Sequence, residues 1–96
     1  MTEQDVERIV KEKAQKGYGF DPLTIISIIS AAIQIYKLIK ACRQSQSVLK
    51  ASAKRKGLAY RIFVRNNFFN KMKDLNVPDE VSEEILEELR SEFIKE

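Results

Sequence analysis

The sequence predicts an all-α protein: three or four helices with short connections, built around one central apolar helix. Apolar residues recur at three- and four-residue spacing along most of the chain, as an amphipathic helix requires. Two punctuation points, Gly17–Gly19 and Asn76–Pro78, cut the chain into helix-length pieces. The one stretch that alternates in the manner of a strand has no second such stretch to pair with. Ninety-six residues set the scale of a single small domain, spanning 1–96, with a modest core. A composition of 44% hydrophobic and 32% charged residues is that of a folded chain rather than a disordered one.

The first element is predicted over Thr2 to Gln15. Val6, Ile9, Val10 and Ala14 fall on one face, with Glu3, Asp5 and Glu7 early and Lys11, Lys13 and Lys16 late. That charge order opposes the helix dipole at both ends and is stabilising. Gly17-Tyr18-Gly19-Phe20 then breaks the helix, because two glycines permit backbone angles that other residues resist. The two aromatic residues are expected to anchor the turn.

The second element is the core helix. Asp21 is placed to accept a hydrogen bond from a first-turn N–H, and Pro22 suits the first helical position, where its missing donor costs nothing. From Leu23 to Lys40 the polar positions Thr24, Ser27, Ser30, Gln34 and Lys37 leave a narrow stripe on an otherwise apolar cylinder. Such a helix is expected to be surrounded on most sides. The uncharged run, Pro22 to Tyr36, is fifteen residues. At about 1.5 Å per residue it covers about 22 Å, short of a bilayer core about 30 Å thick, so burial by protein is preferred over a crossing. Lys37 and Lys40 would have to snorkel for the apolar length to reach Ile39.

Beyond Lys40 the residues become small and polar, Ala41-Cys42-Arg43-Gln44-Ser45-Gln46-Ser47. A new apolar pattern (Val48, Leu49, Ala51, Leu58, Ile62, Phe69, Met72) predicts a long basic helix, kinked or broken at Gly57, since glycine costs a helix about 1 kcal/mol relative to alanine. Leu58, Tyr60, Ile62 and Val64 alternate as a strand would, but helix is preferred because no partner strand exists. Asn76-Val77-Pro78 then ends the element: the residue before a proline is driven out of the helical region. A last helix from about Pro78 to Lys95 follows, with Val81, Ile85, Leu86, Leu89, Phe93 and Ile94 on its apolar face.

Charge is segregated. Residues 43–73 hold nine bases and no acid, whereas 74–96 hold nine acids and two bases, Arg90 and Lys95. Two antiparallel helices of opposite sign that screen one another are the preferred expectation; pairing between copies is another. The basic segment with its aromatic residues also has the composition of a phosphate-binding surface. Lys54, Arg55, Lys56, Arg61 and Arg65 are its candidates for contact with nucleic acid or anionic lipid.

Chemistry is poorly represented. Histidine is absent, which removes the commonest general base and metal ligand. Gly17 and Gly19 lack the third glycine, the preceding strand and the Gly-Lys-Ser/Thr of phosphate loops. Glu83, Glu84, Glu87 and Glu88 read as a solvated helix face. Cys42 has no histidine partner and reads as a small packed residue. Ser27 and Ser30 lack a base, although Ser27 and Ala31 would permit close helix approach. No catalytic residue, metal, cofactor or small-molecule substrate is therefore expected.

These observations point to a non-enzymatic interaction or assembly protein, such as a small structural subunit of a larger complex, of which a virus or phage particle is one. Its partners would be other protein subunits or copies of itself. Ile25, Ile26, Ile28, Ile29, Ile33, Ile35 and Ile39 are the residues expected to pack in its core or against a partner. The alternatives are a membrane-associated protein that inserts residues 23–39, and a nucleic-acid-binding protein that uses residues 43–73. A lone cysteine and a charged leading segment suit an intracellular or virion-interior setting, with membrane association as the other possibility.

Overall fold

The structure, a computed structural model, describes residues 1–15, 18–44 and 64–95. The described residues form four helices and no strand: α1 (Glu3–Ala14), α2 (Pro22–Gln44), α3 (Asn66–Asp74) and α4 (Asp79–Lys95). The all-α expectation is met. Most of the basic segment expected as a long helix, including Gly57, Leu58, Tyr60 and Ile62, lies outside the described residues; Val64 is described and buried, and α3 follows it.

Each boundary has a local cause. At the start of α1, the Thr2 hydroxyl accepts from the Asp5 N–H at 3.2 Å, and the Asp5 carboxylate accepts from the Thr2 N–H at 2.8 Å. This reciprocal box satisfies two otherwise orphaned donors. In the turn that follows, Gly19 adopts φ +68°, and the Tyr18 and Phe20 rings stack with centroids 5.7 Å apart. Asp21 caps α2 as expected, its Oδ1 accepting from the Thr24 N–H at 2.7 Å.

Between α3 and α4 the chain turns through a left-handed residue, Asn76, at φ 58°. The Val77 N–H donates to the Met72 carbonyl at 2.9 Å and the Asn76 N–H to the Lys73 carbonyl at 3.0 Å. That pair of bonds is a Schellman closure. Its usual apolar clasp is supplied by Val77 and Met72, both buried. The Pro78 carbonyl then accepts from Val81 and Ser82 to start α4.

The four helices pack in a ring: α1 against α2 and α4, α3 against α2 and α4, with the contact between α1 and α2 the most extensive. All four expected residues of α1 (Val6, Ile9, Val10, Ala14) are buried. They meet Ile28, Ala32, Ile35 and Ile39 of α2, Phe68 and Met72 of α3, and Val81, Ile85, Leu86 and Leu89 of α4 in one core.

Along α2, Ile28, Ala31, Ala32, Ile35, Tyr36 and Ile39 are buried and Ile25, Ile29, Ile33 and Leu38 are half-buried, whereas Leu23, Ile26, Ser30, Gln34 and Lys37 form one exposed stripe. The stripe is the polar one expected from the sequence, extended at its start by two apolar residues.

Candidate interaction surface

The outward face of α2 begins with Leu23, 76% exposed, and Ile26, 60% exposed. Both would normally be covered. Transfer of a leucine or isoleucine side chain out of water stabilises by about 1.5–3 kcal/mol, so two adjacent exposed ones mark a surface with unspent binding capacity. The exposed Tyr18 and the half-buried Phe20 lie just before them in sequence, in the turn that leads into α2.

Ile26 forms part of the wall of an open groove of about 460 Å³ between α2 and α3. Ser27, Ser30 and Ala31 of α2 form part of its lining. The Ser27 hydroxyl donates to the Leu23 carbonyl at 3.0 Å, so it asks for no external partner. Gln34 and Lys71 bridge the groove through a hydrogen bond from the lysine ammonium to the amide oxygen. Asp74 and Leu75 complete it at the end of α3.

The isoleucines singled out in the sequence divide by face. Ile28, Ile35 and Ile39 are core residues, Ile29 and Ile33 pack against the core at its margin, Ile25 is half-buried, and Ile26 is exposed. Seven residues of one type thus serve four environments, because a helix places consecutive residues about 100° apart.

Of the basic candidates, Lys54, Arg55, Lys56 and Arg61 lie outside the described residues. Arg65 is described, and its guanidinium donates to the Glu83 carboxylate at 2.6 Å while resting 4.9 Å from the centre of the Phe69 ring. This one ion pair joins the described end of the basic segment to the acidic helix; Lys50, Lys54, Arg55, Lys56 and Arg61 of that segment lie outside the described residues. The remaining acids Glu84, Glu87 and Glu88 line a cleft with Glu83 and with Lys13 of α1. Among the described residues, no group of three or more His, Cys, Asp or Glu side chains is placed to hold a metal ion.

Three contacts that seat α2 were not foreseen. The Tyr36 hydroxyl donates to the Met1 carbonyl at 2.6 Å, Lys37 pairs with Glu3 at 3.3 Å, and Lys40 lies 5.9 Å from the centre of the Tyr36 ring. Only the last has a sequence signal, its four-residue spacing; the other two join residues more than thirty apart. The capping box was legible in principle, since Thr2 and Asp5 stand at the required spacing.

Two carboxyl groups are perturbed. Hydrogen bonds from the Thr2 backbone and then its side chain hold the Asp5 carboxyl below its ordinary value of 3.8. The Thr24 backbone N–H does the same for Asp21. Both are helix caps, so the shifts report structure rather than a reacting group.

Pro22–Ala41 is also long and apolar enough to cross a membrane by length and composition, at twenty residues and a mean hydropathy of 1.7. The uncharged run of fifteen residues ends before Lys37. The helix itself continues through Lys37 and Lys40, both exposed. Comparison of the chain with protein-family models, with curated proteins and with solved structures finds no match.

Proposed function

We propose that the chain is a non-enzymatic interaction module, a small helical subunit that docks on another protein surface through the open face of α2. The observation that carries this reading is the exposure of Leu23 and Ile26 on a helix whose opposite face is fully engaged in the core. Folding has consumed one side of α2, and the apolar residues left on the other contribute to stability only when a partner covers them.

The test is a double substitution, Leu23→Asp with Ile26→Asp, in the tagged chain expressed in its own cells. Both residues are exposed, so the helical signal in circular dichroism stays unchanged. A partner recovered in fixed stoichiometry with the wild type is lost from the variant. Equal recovery by both defeats the proposal.

A second reading has its own observation, the twenty-residue apolar stretch of α2. In it, α2 parts from its neighbours and enters a bilayer, with Lys37 and Lys40 at the headgroups. Carbonate extraction separates the two readings: release into the soluble fraction excludes integral insertion. Nucleic-acid binding through the basic segment rests on composition, and predicts an affinity that falls steeply with salt.

A further inference from the structure

We infer that the partner of the open α2 face is a second copy of this chain, joined by a two-fold axis that passes beside the groove between α2 and α3. The inference rests on the docking role proposed above and names its occupant. Among the described residues, three surfaces can be compared as sites for a second copy, and their chemistry separates them.

The outer face of α4 presents Glu83, Glu84, Glu87 and Glu88 against two described bases, Lys13 and the Arg65 that pairs with Glu83. Two copies meeting there would bring like charges together, which is unfavourable. The outer face of α1 carries both signs, but they are already paired within the helix, Arg8 with Asp5 at 3.6 Å and Lys11 with Glu7 at 3.0 Å. Its surface, Gln4, Glu7, Arg8, Lys11, Glu12 and Gln15, holds no apolar residue to bury.

The α2–α3 face differs on both counts. It has two exposed apolar side chains, Leu23 and Ile26, and Ile26 forms one wall of a recess whose floor is edged by the short side chains Ser27, Ser30 and Ala31. A two-fold interface needs this adjacency. The same patch must serve both copies, so each exposed side chain has to find a recess at a place the symmetry fixes. Ile26 of each copy enters the recess of the other.

The charges obey the same rule. Lys71 and Asp74 both line the groove, one of each sign, and Asp74 forms no ion pair with any described residue. In a two-fold arrangement, Lys71 faces Asp74 of the second copy and Asp74 faces its Lys71. The face is self-complementary in charge as well as in shape.

Sedimentation equilibrium of the full chain, run from micromolar to millimolar concentration, tests the inference. The wild type is expected to reach twice the chain mass of 11.1 kDa. Ile26→Asp, with unchanged helicity, raises the dissociation constant by about 30-fold or more, the loss typical of a central interface residue. Lys71→Asp and Asp74→Lys each weaken self-association, because every cross-contact becomes like-charged. An equimolar mixture of those two variants restores the dimer, because each contact again joins opposite charges.

A dimer that survives Ile26→Asp, or a mixture no tighter than its components, overturns the inference. A wild type that remains at 11.1 kDa at millimolar concentration overturns self-pairing and leaves docking on another protein standing. Aggregation relieved only by lipid or detergent overturns both.

Discussion

The hydroxyl of Tyr36, midway along α2, donates a 2.6 Å hydrogen bond to the carbonyl of Met1, the residue before the Thr2 cap. This bond ties the start of the chain to the centre of the core helix. Tyr36 is 8% exposed, so the bond is formed where water competes poorly. Tyr36→Phe keeps the ring and removes the donor. It is expected to cost about 1 kcal/mol in a urea titration, and to speed hydrogen exchange of the first-turn amides of α1 more than those of α4. Uniform acceleration across both helices would mean that the bond does not anchor α1 locally.

Asp21 offers a pH test. Its folded pKa is depressed, so its cap contributes stability that is fully present above the ordinary value of 3.8 and is lost as pH falls through the lower folded value. Asp21→Ala therefore lowers the denaturation midpoint at pH 7, and the gap from wild type closes on acidification below 3.8. Asp5 obeys the same sign at the start of α1, through its bonds to Thr2. A gap that persists unchanged at pH 2 would show that the carboxylate is not the source of the cap.

The core residue Phe68 is completely buried at the start of α3. Phe68→Ala is expected to lose about 3–5 kcal/mol, by removal of apolar contacts and creation of a cavity. In a domain of this size that loss is a large part of the total stability. A loss below about 1 kcal/mol would place the ring outside the core.

Ser82 is a core position occupied by a polar residue. It is 0% exposed, and its hydroxyl has no hydrogen-bond partner among the described residues. A buried hydroxyl without a partner is destabilising relative to a methyl group. Ser82→Ala is expected to raise stability by up to about 1 kcal/mol. Destabilisation of similar size would reveal a bond that the hydroxyl makes in solution.

Asn76 closes α3 in the left-handed region, where a side chain is disfavoured unless it is small or hydrogen-bonds locally. Asn76→Gly is expected to be neutral or stabilising by a few tenths of a kcal/mol. Asn76→Val should destabilise by about 1–2 kcal/mol, because a branched Cβ crowds the backbone there. Equal stabilities of the two variants would mean that the turn adopts another conformation in solution.

Much of this architecture was legible in the chain because its causes are local. Asp21 and Pro22 start α2, and Asn76 closes α3 ahead of Pro78, through contacts within five residues. The α1 face was readable because polar and apolar residues are cleanly separated on it, and all four of its expected core residues are buried. Arg65 and Glu83 were expected only as members of oppositely charged elements. Their pairing required α3 and α4 to pack.

The sequence by itself therefore determined the helical class, the caps and the turns, because each depends on backbone hydrogen bonds satisfied by near neighbours. The stripe of Ser30, Gln34 and Lys37 marks the surface side of α2 in the sequence, because these residues recur at three- and four-residue spacing and all three are exposed. The tertiary structure alone decided that Leu23 and Ile26, at the start of the helix, continue that exposed side. Ile28 and Ile26 are chemically identical, and one is 0% exposed while the other is 60% exposed. The difference arises because α1 and α3 pack on the Ile28 side of α2 and leave Ile26 exposed. The apolar start of the exposed stripe, Leu23 and Ile26 at the groove of Lys71 and Asp74, is consequently a surface that could be recognised only after the chain had folded.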